Sequence, residues 1–449
     1  MPTAPRATRL SLLVLAYLAF VSLGLPDGLL GVGWPSIRSE FRVPTEAVGL
    51  LLTAGTAGYL TSSIAAGFSI ARLGVGLLLA GSTGLASLAL AGYAVSPVLA
   101  VTVGCALLLG LGSGAIDSGL NAYAATMFGP RHMNWMHAFF GLGVAIGPLI
   151  MTSVLGSGLS WRWGYGIVSA AQLLLALAFV LNARTWDDRR GSASGADQRS
   201  GASGADQRGG ASGADQRGGA SGADQRGGAS GADRPAAEGT GHGGPVPAPT
   251  IPVGPVPVRD TLRLPAVWLG IAAFAVYVAI EVASGLWAFL LLTDGRGLSA
   301  TVAGVCVSGY WGSLFAGRVV QGIVAERLGP ARVLRWSLVG MAFGALLVAV
   351  PAPAWLAVAG LAIIGFGAAP VFPLLTLGTA DRVGTAHADR TIGLQIGAAG
   401  LGGALVPTTI GFVLDRFGVG ALGPALLILS LLLIALHAAT ARRPSVARD

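Results

Sequence analysis

The second half of this chain repeats the first at a near-constant offset of 255 residues. Gly67, Arg72, Leu73 and Gly74 recur as Gly322, Arg327, Leu328 and Gly329, and Gly110 with Gly112 recurs as Gly365 with Gly367. Both copies consist of long apolar stretches. With 53% hydrophobic residues, 11% charged residues and a mean hydropathy of +0.71, the chain lies outside the range of a soluble globular domain. Stretches of about 20 apolar residues can hydrogen-bond their own backbone in lipid only as helices. The expected fold is therefore an all-α membrane protein, with twelve transmembrane helices in two pseudo-symmetric six-helix bundles.

The apolar pattern places spans near residues 10–33, 46–70, 74–95, 97–125, 134–156 and 161–183, then 265–293, 299–325, 331–350, 353–379, 389–414 and 419–440. The domains are expected at 1–183 and 263–449. Residues 184–262 between them carry a recurring ASGADQRGG unit in which nine Arg balance nine acids. Such a segment cannot bury enough apolar surface to offset its ordering entropy, and it reads as a disordered cytoplasmic linker.

All 28 basic residues are Arg. Thirteen fall on the side of the termini and linker, among them Arg6, Arg72, Arg263 and Arg327. Five (Arg38, Arg42, Arg162, Arg296 and Arg416) fall on the other. This bias puts both termini in the cytoplasm. The protein is expected in the inner (cytoplasmic) membrane of a cell, as a monomer. The net charge of +8 follows from that topology, and no basic surface interleaved with aromatics is present to hold nucleic acid. Trp34, Trp161, Trp163 and Trp268 lie near span ends and read as interfacial anchors. Cys105 and Cys306 lie inside spans and read as small core residues.

Three carboxylates interrupt the apolar spans: Asp27, Asp117 and Glu281. An ionisable group at that depth is costly and normally faces a cavity. Ser113, Asp117 and Asn121 share one helical face, as do Tyr277, Glu281 and Ser284. Low dielectric disfavours a carboxylate's charged form, so acids placed this way suit proton loading and release. Asp27, Asp117 and Glu281 are the candidate proton-coupling groups. The candidate cargo contacts are Asp27, Asp117, Asn121, Tyr277, Glu281, Trp287, Tyr310, Trp311 and Gln395, where ring faces beside hydrogen-bonding groups suit a sugar. Arg72, Arg318, Glu326 and Arg327 are the candidate gating residues. No nucleophile, base and orienter set, phosphate-cradling loop or metal-ligand cluster points to an enzyme, and no cofactor is expected.

The string from Gly322 through Glu326, Arg327, Gly329 and Arg332 resembles the loop signature of the major facilitator superfamily. The run from Gly143 to Gly147 and Pro148 resembles its glycine-proline motif, and Trp161, Arg162 and Trp163 also fit. The acids of spans 1 and 4, Glu281 followed by Trp287, and Phe372 with Pro373 are similar to the fucose permease and sodium-dependent glucose transporter branch. That resemblance implies alternating access about a midplane site, with Asp27 and Asp117 serving proton coupling and sugar binding. One departure stands out, and the short motif is not unique in the chain. Ala71 occupies the place of the usual acid before Arg72, and a similar string (Gly411, Asp415, Arg416, Gly418) follows span 11 on the other side.

The functional expectation is a secondary active transporter, a proton-coupled symporter of a sugar or similar small polar metabolite, with sodium as the other candidate ion. A proton-coupled efflux antiporter of drugs or metabolites uses the same acids and stays open, as does a non-transporting sensor or scaffold.

Overall fold

The computed structural model describes residues 6–128, 130–206 and 257–441, with backbone alone at 6–10, 126, 130–131, 134, 187–206, 321–326 and 441. Every described element is helical. The long ones are α1 (Arg6–Phe41), α2 (Val48–Val95), α3 (Leu99–Met127), α4 (Pro130–Gly156), α5 (Arg162–Asp206), α7 (Pro265–Leu290), α8 (Ala300–Leu328), α9 (Pro330–Ala349), α13 (Thr385–Phe417) and α14 (Leu422–Ala441). The shorter α6 (Val258–Arg263), α10 (Ala354–Ala368), α11 (Val371–Leu377) and α12 (Thr379–Val383) complete the set. Ten helices among the described residues are long and apolar enough to cross a membrane, so this is a multi-pass membrane protein. Most of the repeat-bearing linker, 207–256, lies outside the described residues; at its start the helix α5 runs on to Asp206.

α2 is two antiparallel segments joined at Gly74, whose φ of 75° and ψ of 170° are left-handed and non-helical. Gly110 on α3 packs against Gly55 and Tyr59, while Gly112, two residues on, packs against Ser82 and Ala86. Gly55 and Ser82 would stand about 40 Å apart on a straight helix; both reach one spot on α3 because the chain doubles back at Gly74. The second half repeats this packing. Gly365 meets Tyr310 and Ser313, and Gly367 meets Ser337 and Met341. Gly329, the counterpart of Gly74, is also left-handed, with φ 84°. A side chain at either turn would be strained, which is why the sequence repeats glycine there.

Prolines inside helices expose carbonyls that something else must satisfy. Pro26 in α1 cannot donate to the Ser22 carbonyl; the buried Gln172 of α5 does so instead, Nε2 to oxygen at 3.1 Å. In the first half α1 packs on α4 and α2 on α3. In the second, α7 packs on α13 and α14, and α10 on α8 and α9. The halves meet through α4 with α8, α2 with α13, and α1 with α7. One apolar core (Phe20, Leu79, Ile116, Phe179) belongs to the first half alone. A second, holding Leu29, Trp34, Trp161, Phe274 and Trp287, runs through both.

Two of the four expected interfacial tryptophans are in fact core residues. Trp34 and Trp161 are each 2% exposed and donate their indole N–H, Trp34 to the Thr45 carbonyl at 3.0 Å and Trp161 to Glu40 Oε2 at 2.6 Å. Glu40 also pairs with Arg162 at 2.7 Å, so α1 and α5 are clipped together there. Trp163 and Trp268 are exposed.

A methyl group at Gly110 would overlap the Gly55 backbone, whereas Gly81 faces open space. Gly110→Ala is expected to lower stability by about 1–3 kcal/mol, and Gly81→Ala to leave it unchanged or raise it by up to about 1 kcal/mol. Thermal unfolding of the two purified variants beside the wild type measures the difference.

Candidate functional site

Between Ala19 and Trp34, α1 is buried on every side except at Val21, Asp27 and Leu30. Its glycines bring α4 close: Gly24 against Phe140 and Val144, Gly28 against Val144 and Pro148. Gly31 meets Gly285 and Leu286 of α7. A helix so enclosed presents no lipid-facing stripe at this depth, so the exposed Asp27 opens onto space inside the protein. Asp27 makes no hydrogen bond or ion pair with any described residue.

Asp117, on α3, is fully engaged. Tyr59 of α2 donates to its Oδ2 at 2.6 Å and Asn121, one turn on, donates to its Oδ1 at 3.0 Å. Tyr59 also lies within electrostatic range of Asp27. Sequence reading missed Tyr59, although Tyr59, Ser62 and Ser63 form a polar stripe at helical spacing in an apolar span.

Glu281, on α7, is held by three groups. Tyr277 donates to its Oε2, Arg318 of α8 stands 3.9 Å from its Oε1, and Tyr310 donates to its backbone carbonyl at 2.8 Å. Arg318 also crosses to the first half, donating to the His137 carbonyl on α4 at 3.2 Å. Its path is cleared by Gly141, which faces Arg318 and Phe315 without a side chain. His137 lies within electrostatic range of both Asp117 and Arg318. Asp27, Asp117, His137, Arg318 and Glu281 therefore form a polar belt that runs from one half to the other.

The remaining candidates divide. Trp311 packs on Tyr310 with ring centroids 4.9 Å apart and fills the notch left by Gly285. Trp287 is 1% exposed and donates to the Pro407 carbonyl at 3.0 Å. Gln395 is 2% exposed and accepts from Thr379 at 3.0 Å. Tyr277 and Tyr310 are equally buried. These five side chains are enclosed in protein, with the two tyrosines serving Glu281 directly. Of the gating candidates, Arg72 is exposed with its guanidinium 4.2 Å above the Phe68 ring, and Arg327 is exposed. The Glu326 side chain lies outside the described residues.

A cross-half latch occupies the end of the bundle opposite Arg6. Thr45, just before α2, donates its hydroxyl to Asp415 Oδ1 on α13 at 2.8 Å and accepts from Arg38 at 2.9 Å. Beside it Gly49 abuts Thr408, Gly411 abuts Glu46, and Gly304 of α8 abuts Thr152 of α4. At the other end of the same seam Gly67, Gly393 and Gly397 face open space. The halves are thus in close contact at the Thr45 end, whereas these three glycines of α2 and α13 toward the Arg6 end meet no neighbour. Asp415 belongs to the repeated-looking string after span 11, which sequence reading had not assigned a role.

The Major Facilitator Superfamily model matches residues 16–407 and 269–448. The cercosporin MFS transporter CTB4 of Cercospora nicotianae is 32% identical over 166 residues, 35% of this chain and 32% of that transporter, so the match spans about a third of the relative's length. Among solved structures, a point mutant of the peptide transporter POT superposes with a TM-score of 0.67, covering 96% of this chain and 95% of that one at 13% identity. The same mutant in complex with alafosfalin gives 0.66 at 13% identity, with the same coverage of both chains. At these identities the structural likeness is one of fold. A family model that spans nearly the whole chain, over a helical membrane fold shared with a transporter, identifies this protein as a member of the Major Facilitator Superfamily, a family of membrane transporters.

Proposed function

We propose that this chain is a proton-coupled symporter of a sugar or similar small polar metabolite, working by alternating access. In this reading it has twelve spans, with α2 counted as two and α8 as one, in bundles 1–183 and 263–449 joined by the linker 184–262. Both termini are cytoplasmic. The observation that carries the reading is the contrast among the three acids: Asp117 and Glu281 are each held by hydrogen-bonding partners, whereas Asp27 faces interior space with none among the described residues.

An unpaired carboxylate in low dielectric gains most from taking up a proton, so Asp27 is the group that loads and releases it. Asp117, with Tyr59 and Asn121, presents hydroxyl, amide and carboxylate groups suited to cargo hydroxyls. Glu281 and Arg318 tie the belt to α4 across the seam. Cargo bound against Asp27 and Asp117 changes the solvation of both acids, and this links its occupancy to the proton's. The conformation with the Thr45 end shut is then the one open to the cytoplasm.

A second reading, proton-coupled efflux of drugs or metabolites, draws on the partial match to the cercosporin transporter. It uses the same acid with the opposite direction of cargo flow.

Asp27→Asn is expected to abolish cargo accumulation driven by a pH gradient in proteoliposomes while leaving counterflow exchange. Accumulation at the wild-type level would remove Asp27 from the coupling. Accumulation driven by a sodium gradient alone would replace the proton by sodium. Loss of the latch is expected to favour opening at the Thr45 end. Asp415→Ala should therefore speed thiol labelling of a cysteine placed at Thr152 several-fold, and an unchanged labelling rate would deny the latch its gating role.

A further inference from the structure

The end of the linker is fastened to the bundle through one buried hydroxyl. α6 is six residues long, and of these Thr261 alone is buried. The last turn of α6 is held on α7, where the exposed Trp268 donates its indole N–H to the Leu262 carbonyl at 2.8 Å. The inward side chain meets α13: Thr261 Oγ1 lies 2.9 Å from His387 Nδ1 and accepts from Arg390 Nη1 at 2.9 Å. His387 is the counterpart, 255 residues on, of His132, whose Nδ1 lies 2.8 Å from the Tyr17 hydroxyl of α1. In both halves a histidine in the first turn of the corresponding helix, α4 or α13, thus meets a hydroxyl from the chain that opens that half.

The tautomer of His387 follows from counting protons. A guanidinium only donates, so the Thr261 oxygen accepts from Arg390 and the one hydroxyl proton is free for Nδ1. Nδ1 is therefore an unprotonated acceptor, and the ring proton is on Nε2. Thr261 exposes no surface, and among the described residues its hydroxyl has no other acceptor. A second proton on His387 sets an N–H at Nδ1 against that same oxygen. The hydroxyl proton is then left buried without an acceptor, and two cations crowd one oxygen. Histidine is the side chain that changes charge between about pH 5 and 8. The charged and titratable groups on the elements packed around this end of α13 are Arg259, Asp260 and Arg263 of α6, Asp381 and Arg382 of α12, Asp389 and Arg390 of α13 itself, Arg72 of α2 and His437 of α14; α7 has none before Glu281. Among the described residues no carboxylate pairs with His387 to offset the added charge.

We propose that Thr261, His387 and Arg390 form a proton-sensitive pin: neutral His387 holds α6, and with it the end of the linker, on α13, and protonation of His387 releases them. Gly393, where α13 faces open space, follows within two turns, so release frees the linker end beside the seam between the halves. The pin depends neither on the cargo nor on which ion drives transport.

Hydrogen–deuterium exchange of the full chain in detergent, read by mass spectrometry at about pH 7.5 and about pH 5.5 and corrected for intrinsic rates, tests this on either side of the range in which histidine titrates. Protection of the peptide over 257–263 is expected to fall by about fivefold or more at the lower pH, while α9 keeps its protection. His387→Asn, whose amide oxygen takes the place of Nδ1 and does not titrate, should hold α6 at both pH values. Thr261→Val should lose the protection at both. Equal wild-type protection at the two pH values, a fall that persists in His387→Asn, or wild-type protection in Thr261→Val overturns the proposal. A fall that extends equally to α9 is acid unfolding of the bundle and overturns it too. Should either variant fail to fold, the wild-type comparison of 257–263 with α9 is sufficient to overturn it.

Discussion

In hydrocarbon a polar group has no water to fall back on, so each one must find its partner within the protein. The long helices meet that demand for the backbone, and side chains meet it where the helices cannot. Gln172 takes the carbonyl that Pro26 leaves open. Tyr59 and Asn121 occupy both oxygens of Asp117, while Tyr277 and Arg318 attend to Glu281. The informative sites are the exceptions. Buried atoms such as Thr152 Oγ1, Ser284 Oγ and one oxygen of Glu46 have no partner among the described residues, and Asp27, alone among the three acids of the apolar spans, opens inward within the belt with none.

Close approach of helices depends on a second residue type. Without hydrophobic drive between apolar helices in lipid, association rests on packing, which small residues permit at short range. Gly110 and Gly365 set this packing within the halves. Gly31, Gly49 and Gly304 set it between them. The between-half glycine contacts gather toward the Thr45 end and give way to open space at Gly67, Gly393 and Gly397. A seam held mainly by such contacts, with single hydrogen bonds such as Thr45 to Asp415, Ser308 to the Ala145 carbonyl and Arg318 to the His137 carbonyl, can part without breaking a large buried ion-pair network.

Several assignments from pattern alone needed correcting, and for one reason. Trp34 and Trp161 sit near span ends, where tryptophan commonly marks an interface, yet neighbouring helices enclose both and give their indoles acceptors. Trp287 and Gln395, expected from pattern as cargo contacts, are buried here with hydrogen bonds to the Pro407 carbonyl and from Thr379, partners that the pattern did not reveal. Tyr59 escaped notice because a single tyrosine in an apolar span carries no charge to draw attention to it. A linear pattern gives the face of a helix but not which neighbour covers that face.

The amino-acid sequence by itself determined that the chain is helical, crosses a membrane many times and was built by duplication. Span length, apolar composition and the 255-residue repeat of glycines depend only on local chemistry and on the thickness of the bilayer. It also determined that Asp27, Asp117 and Glu281 lie at depth, since apolar residues surround each of them in sequence. Tertiary structure alone decided which acid is left without a partner, because hydrogen bonding joins residues from different helices at separations such as the 58 residues between Tyr59 and Asp117. It likewise decided that Asp415 meets Thr45 across 370 residues. Contacts of that kind are set by how helices pack side by side, a relation that no stretch of sequence contains.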